Sequence, residues 1–263
     1  MKKRIISAIV ALAIVVPLLI LGGNYFSFLA GVLGVLAYKE ILDLKENSRE
    51  IPNVIKAIGL VDLCLLIFSE CDESIIVFTL PYKIVAISLL TLLIPTLFYK
   101  NNEYTTREAF YLTGVILFLG LVFNSFILVR SMSIHLIVYL ILICTLTDAF
   151  AMFTGMLIGK HKVTPNISPK KTIEGCIGGS ILGTIIPVIY YINYVGKFSY
   201  KLVLITLFLT VIDQLGDLFF SKIKRENNIK DFSNIMPGHG GILDRLDSLC
   251  FVVITYLIFI SYI

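Results

Sequence analysis

Between Ser221 and Asp247 the chain reads SKIKRENNIKDFSNIMPGHGGILDRLD, a stretch of charge, glycine and one histidine in an otherwise apolar sequence. Lys222, Lys224, Arg225, Lys230, Asp231, His239, Asp244, Arg245 and Asp247 all fall inside it. Charge beside lipid is costly, so a membrane protein that gathers these residues marks a functional site with them. The cations suit phosphate and the carboxylates suit a hard metal ion. Phosphoryl or nucleotidyl transfer at a membrane surface is the chemistry this mixture predicts.

Two further segments add to that set. Asp213-Gln214-Leu215-Gly216-Asp217 puts two carboxylates four residues apart, on one helical face. So placed, they share a proton, bind a cation, or pair with Arg or Lys from a neighbouring helix. Gly216 lets a ligand or another backbone come close. Upstream runs Ser168-Pro169-Lys170-Lys171-Thr172-Ile173-Glu174-Gly175. Ser168 before Pro169 predicts a helix start, with a capping hydroxyl and proline at the first helical position. Lys170 and Lys171 would then oppose the helix dipole unless an anion binds there. The competing reading is a cytoplasmic loop that is basic only because of topology.

Within the first segment, PGHGG cannot be regular helix, and non-helical backbone near a membrane must face protein or a water-lined cavity. Its glycines expose backbone N–H groups that can cradle an anion. His239 is either an anchor of this loop or a donor to phosphate. Asp244 and Asp247 lie three apart at the start of the last helix, where the dipole alone also favours acidic residues.

The elements that must hold these residues are membrane helices. The chain has 263 residues, 57% of them hydrophobic and 15% charged, with mean hydropathy +0.92. A soluble domain is nearer half apolar and a quarter charged. The fold class expected is all-α, a polytopic transmembrane bundle. Apolar stretches near 20 residues fall at about 5–22, 24–39, 54–69, 83–99, 110–129, 134–158, 173–195, 200–221 and 248–263. That makes about nine spans, the fourth being broken around Pro81 and Lys83. Met1-Lys2-Lys3-Arg4 precedes the first span, but no A-x-A cleavage site follows, so it reads as a retained anchor.

Nine spans with the N-terminus inside put 18 of the 22 Lys and Arg on one side, opposite the acidic loop Glu70-Cys71-Asp72-Glu73. This obeys the positive-inside rule and predicts a cytoplasmic N-terminus. The net charge of +4 is then a topology signal, and no nucleic-acid partner is implied. Residues 1–130 read as an N-terminal set of transmembrane helices, with Asp62 the polar exception. Residues 131–263 read as the catalytic region, with polar Asp148, Asp213, Gln214 and Asp217 inside apolar runs. Gly155 and Gly159, then Gly175, Gly179 and Gly183, recur at four-residue intervals that let helices pack closely. Their partner is another helix of this chain or a second subunit, so a homodimer is one option. The five cysteines are scattered without a CxxC pair, which argues against a zinc site or disulfide framework. No G-x-x-x-x-G-K-[ST] loop, GxSxG elbow or HExxH motif occurs.

At these residues the chain resembles the phosphatidate cytidylyltransferase (CDP-diacylglycerol synthase) family. The family's signature, S-x-[apolar]-K-R-x4-K-D-x-[small]-x3-P-x-H-G-G-[apolar]-x-D-R-[apolar]-D, is matched by Ser221, Lys224, Arg225, Lys230, Asp231, Ser233, Pro237, His239, Gly240, Gly241, Asp244, Arg245 and Asp247. Met236 stands where Leu, Ile or Phe is usual. Ser168 to Gly175 matches the family's S-P-K-K-T-x-E-G, and Gly216-Asp217 its G-D pair. Residues 1 to about 140 resemble the family only in kind.

The resemblance implies the reaction CTP + phosphatidate → CDP-diacylglycerol + pyrophosphate, at the cytoplasmic face of the cell (inner) membrane. It implies Asp217 and Asp244 as ligands of Mg²⁺, alone or with K⁺, and catalytic roles for Asp217, Asp244, Lys224, Arg225 and His239. Substrate contacts are expected from Ser168, Lys170, Lys171, Ser221, Lys230, Asp231, Gly240, Gly241, Arg245 and Asp247. The partners are CTP, phosphatidate and the lipid bilayer. A CTP-dependent lipid or polyprenol kinase and an anion transporter are the alternatives.

Overall fold

The computed structural model describes residues 2–46, 50–69, 82–100, 103–236, 238 and 240–260. The acidic loop 70–73, Pro81, Pro237 and His239 lie outside them. Nine α-helices occur among the described residues: α1 Lys2–Leu21, α2 Gly23–Glu46, α3 Asn53–Ile67, α4 Tyr82–Leu93, α5 Thr106–Met132, α6 Ile134–Ile158, α7 Ile173–Tyr194, α8 Tyr200–Glu226 and α9 Leu243–Phe259. Helices are the expected solution, because in lipid every backbone group must be satisfied within its own segment.

Five of these helices, α2, α5, α6, α7 and α8, are long and apolar enough to cross a membrane. The molecule is therefore an all-α membrane protein. The apolar parts of α1 and α4, and helices α3 and α9 at 15 and 17 residues, fall short of the ~20 residues that a hydrocarbon core asks for.

The chain forms two compact units. Unit 1 comprises Met1–Leu128 together with Phe232–Leu243, and unit 2 comprises Val129–Asp231 together with Asp244–Ile263. In unit 1 the mid-helix Asp62 is buried and accepts a hydrogen bond of 2.6 Å from the Thr91 hydroxyl on α4. Asn124 of α5 donates at 3.0 Å to the carbonyls of Ile67 and Ser69, closing the C-terminus of α3. These contacts satisfy polar groups that lipid could not.

Unit 2 is built on α6 and α7, which lie against each other along their length. The glycine interval explains the closeness. A Cβ on Gly179 would meet Ala151 and the Thr147 carbonyl, and one on Gly183 would meet the Thr147 backbone. The small-residue face is thus filled by a helix of the same chain, so the spacing gives no ground for a second subunit.

Between α6 and α7 the structure departs from the sequence reading. Lys162–Thr164 (β1) and Ser168–Thr172 (β2) form an antiparallel hairpin, with Thr164 opposite Ser168. Ser168 and Pro169 do not start a helix. The cap is Thr172, whose hydroxyl accepts from the Gly175 N–H at 3.2 Å. Proline biases the preceding residue toward extended backbone, and that preference here continues through both lysines. Lys170 and Lys171 accordingly sit on a strand and not in a first helical turn.

Candidate active site

Helix α8 is the spine of the site. Asp213, Asp217, Ser221 and Lys224 recur at three- and four-residue spacing, so they share one face. The two aspartates have different surroundings. Asp213 is fully buried, with the Ser248 hydroxyl and the Cys144 thiol beside its carboxylate. Asp217 is partly exposed; its Oδ2 lies 2.5 Å from Lys171 Nζ, and the Ser221 hydroxyl reaches its Oδ1 at 3.4 Å. Lys171 also donates to the Gln214 carbonyl at 3.4 Å. Gln214 in turn donates from Nε2 to the Ser180 hydroxyl at 2.8 Å and to the Cys176 carbonyl, fixing α8 against α7.

A second ion pair lies further along the same helix. Lys224 Nζ is 2.8 Å from Asp244 Oδ1, joining α8 to the first turn of α9. These side chains are only 12% and 5% exposed. Asp247, one turn on and ahead of the apolar part of α9, accepts the Ser248 N–H at 2.8 Å. Burial pushes its carboxyl up to about 6, nearby Asp217 and Asp148 add to that, and Lys224 opposes it. Asp148 of α6 is within electrostatic reach of both Lys171 and Asp217. Five carboxylates, Asp148, Asp213, Asp217, Asp244 and Asp247, therefore gather at one end of unit 2 around two shielded lysines.

That gathering of carboxylates, which outnumber the lysines among them, suits a bound cation. Among the described residues no three His, Cys, Asp or Glu side chains converge to hold an ion by themselves. Mg²⁺ does not ask for such a cage, since it characteristically takes one or two carboxylates and completes its shell with water and substrate phosphate. The donor set fits the ion.

The remaining expected residues divide clearly. Lys170, Lys230, Asp231 and Arg245 are exposed. Ser168 lies at the β2 end of the hairpin. Arg225 is also exposed and directs donors to the carbonyls of Ile167 and Ile229, at 3.4 and 3.3 Å, so it braces the hairpin tip. The hairpin's other brace is Glu174 in the first turn of α7, which accepts from the backbone N–H groups of Lys160 and His161 and lies 2.6 Å from the His161 ring.

The glycine turn belongs to unit 1. Met236 and Gly240 exchange backbone hydrogen bonds of 3.0 and 3.1 Å across it. Gly238 and Gly240 take φ of +81° and +84°, the left-handed region that favours glycine. Sequence reasoning missed one residue here altogether. Glu40 of α2 is buried and accepts from Ser233, Ile242 and Leu243. Its local sequence, KEILDLKE, looks like any charged helix end, and no signal in it points across some 200 residues.

Over residues 2–263 the chain matches the cytidylyltransferase family. It is 37% identical over 257 residues to the phosphatidate cytidylyltransferase of Staphylococcus haemolyticus, covering 96% of both chains. It is 36% identical over 256 residues to that of Staphylococcus aureus strain COL, again over 96% of each. With these matches running the length of a molecule whose charged end holds two lysine–aspartate pairs, each with one partner on the same face of α8, the chain belongs to the cytidylyltransferase family.

Proposed function

We propose that this chain transfers the cytidylyl group of CTP to phosphatidate, forming CDP-diacylglycerol and releasing pyrophosphate. The observation that carries the reading is the pair of contacts Lys171–Asp217 and Lys224–Asp244 at the charged end of unit 2. The names of the staphylococcal relatives support the choice of both substrates.

A phosphate oxygen of phosphatidate attacks the α-phosphorus of CTP, and the bond to the bridging oxygen of the β-phosphate breaks. Phosphatidate supplies its own nucleophile, so no covalent enzyme intermediate is needed, and positioning with charge stabilisation suffices. Lys171 and Lys224 are held by their aspartates with the ammonium groups oriented, and offset the charge of the phosphates that approach. Asp217 and Asp244 would hold Mg²⁺, with or without K⁺, and the ion when bound neutralises charge building on the leaving pyrophosphate.

Nine crossings with a cytoplasmic N-terminus would set this end of unit 2 at the cytoplasmic face of the cell's inner membrane, the side given 18 of the 22 Lys and Arg. CTP is water-soluble, while phosphatidate cannot leave the bilayer without exposing acyl chains at ~0.8 kcal/mol per CH₂. The two substrates must therefore meet at that interface.

The test is purified protein with CTP labelled at the α-phosphate, phosphatidate and Mg²⁺. Label in a lipid product with equimolar pyrophosphate is the expected result. Release of labelled CDP would identify a CTP-dependent kinase instead, and absence of any CTP consumption would sink both enzymatic readings.

A further inference from the structure

The Glu40 carboxylate sits where the chain runs into the glycine-rich signature. Oε1 accepts the Ser233 hydroxyl at 2.6 Å and the Ile242 N–H at 2.8 Å, and Oε2 accepts the Leu243 N–H at 2.9 Å. Glu40 is 1% exposed. Gly241 packs directly on it, and a Cβ at Gly241 would collide with the carboxylate. Ser233 opens the turn, and Ile242 and Leu243 close it immediately before Asp244. One side chain thus grips both ends of residues 233–243, inside unit 1.

We infer that Glu40 is a positioning residue for the glycine-rich segment, holding Ser233, Ile242 and Leu243 in place on either side of it before phosphate groups arrive. This rests on the proposed cytidylyl transfer for what the turn receives, but the anchoring itself does not. The chemistry calls for a carboxylate. Three donors converge on two oxygens, and a carboxylate offers acceptor sites only. An amide would turn an NH₂ toward an N–H and leave a buried donor unsatisfied. Gly241 has no side chain because the acceptor occupies that volume. Gly238 and Gly240 take positive φ, which glycine enters and leaves freely, so a fixed acceptor for the flanking Ser233, Ile242 and Leu243 limits that freedom.

The decisive comparison uses full-length protein in detergent carrying Glu40→Gln, Glu40→Ala or Ser233→Ala. Hydrogen exchange at the Ile242 and Leu243 amides should quicken about tenfold or more in Glu40→Gln, since each lost buried hydrogen bond is worth about a tenfold opening. With phosphatidate and CTP, kcat per folded molecule should fall about ten- to a hundredfold, the scale of a slightly misplaced group. Thermal stability should fall by only a few degrees in that variant, the scale of one unsatisfied buried donor. Ser233→Ala should show a smaller loss of the same kind, and Glu40→Ala a larger one. Unchanged amide exchange in Glu40→Gln overturns the anchor. So does a kcat per folded molecule and KM for both substrates within about twofold of wild type, a change too small for a misplaced group. If wild-type protein transfers no cytidylyl group, the proposed reaction fails, while the exchange rates still decide whether Glu40 holds the turn.

Discussion

The two lysine–aspartate pairs look alike in sequence but sit in different environments. Lys171–Asp217 joins a hairpin strand to α8, with side chains 17% and 28% exposed. Lys224–Asp244 joins α8 to α9, with side chains 12% and 5% exposed. Water reaches the first pair, which keeps it exchangeable: a phosphate or a cation can displace either partner at modest cost. The second is shut in, so separating its charges leaves one of them in a poorly solvated place. The first pair is suited to open for substrate, and the second to hold two helices while it presents a charge.

The largest expected effect comes from breaking the buried pair on one side. Lys224→Ala and Asp244→Asn should each abolish turnover and also destabilise the folded protein, by about 3 kcal/mol, the scale for removing one partner of a buried ion pair. Asp217→Asn should likewise abolish turnover, but it should cost no more than about 1 kcal/mol, as for an ion pair that water reaches. Thermal unfolding in detergent beside pyrophosphate release measures both quantities. Equal destabilisation by Asp217→Asn and Asp244→Asn would erase the distinction between the pairs.

The lysines of the hairpin sharpen the contrast at a smaller scale. Lys171 contacts Asp217 and the Gln214 carbonyl, whereas Lys170, its neighbour on the same strand, is exposed. Successive residues of a strand point to opposite faces. Lys171→Ala should therefore lower kcat/KM about tenfold or more, the scale of one charge-assisted contact, while Lys170→Ala should change it by no more than about threefold, as for a solvated charge. Steady-state kinetics with both substrates varied would check this. Similar losses in the two variants would mean that the hairpin binds substrate as a diffuse basic patch.

What the sequence made legible follows from the range of each interaction. Membrane class and helix positions come from local hydrophobicity, so the nine apolar stretches all carry helices. The Asp213–Asp217 face comes from helical periodicity, and the close α6–α7 approach from the glycine interval; both are local patterns. That Asp213 is sealed off while Asp217 meets Lys171 depends on how α7 and the hairpin pack on α8. Nothing within α8 encodes it. Asp148 was visible as a polar residue in an apolar run, yet its place beside Asp217 and Lys171 is again tertiary. Glu40 is the extreme case, since its partners are some 200 residues away. At Ser168-Pro169 the local signal itself was ambiguous, because proline suits a helix start and an extended strand equally.

That ambiguity yields the smallest effect. Were Ser168 the cap of α7, Ser168→Ala would cost the usual ~1 kcal/mol and Thr172→Ala would be mild. The structure reverses the order. Thr172 is buried, its hydroxyl accepts the Gly175 N–H, and its side chain fills the space beside Gly155 and Gly159 where α6 ends. Thr172→Ala removes a cap and opens a gap between the end of α6 and the start of α7, so it should destabilise by about 1–2 kcal/mol. Ser168 is half-buried at the far end of the hairpin, and Ser168→Ala should stay within about 0.5 kcal/mol of wild type. Thr172→Ser, which keeps the hydroxyl and drops the methyl, should recover the capping part alone. Because Thr172 follows Lys171 directly, the loosened cap should also lower activity a few-fold through the Lys171–Asp217 pair, leaving Lys224–Asp244 untouched. Unfolding temperatures and kcat for the three variants decide the matter. A Ser168→Ala protein less stable than Thr172→Ala would return the helix start to Ser168 and put both lysines back in its first turn.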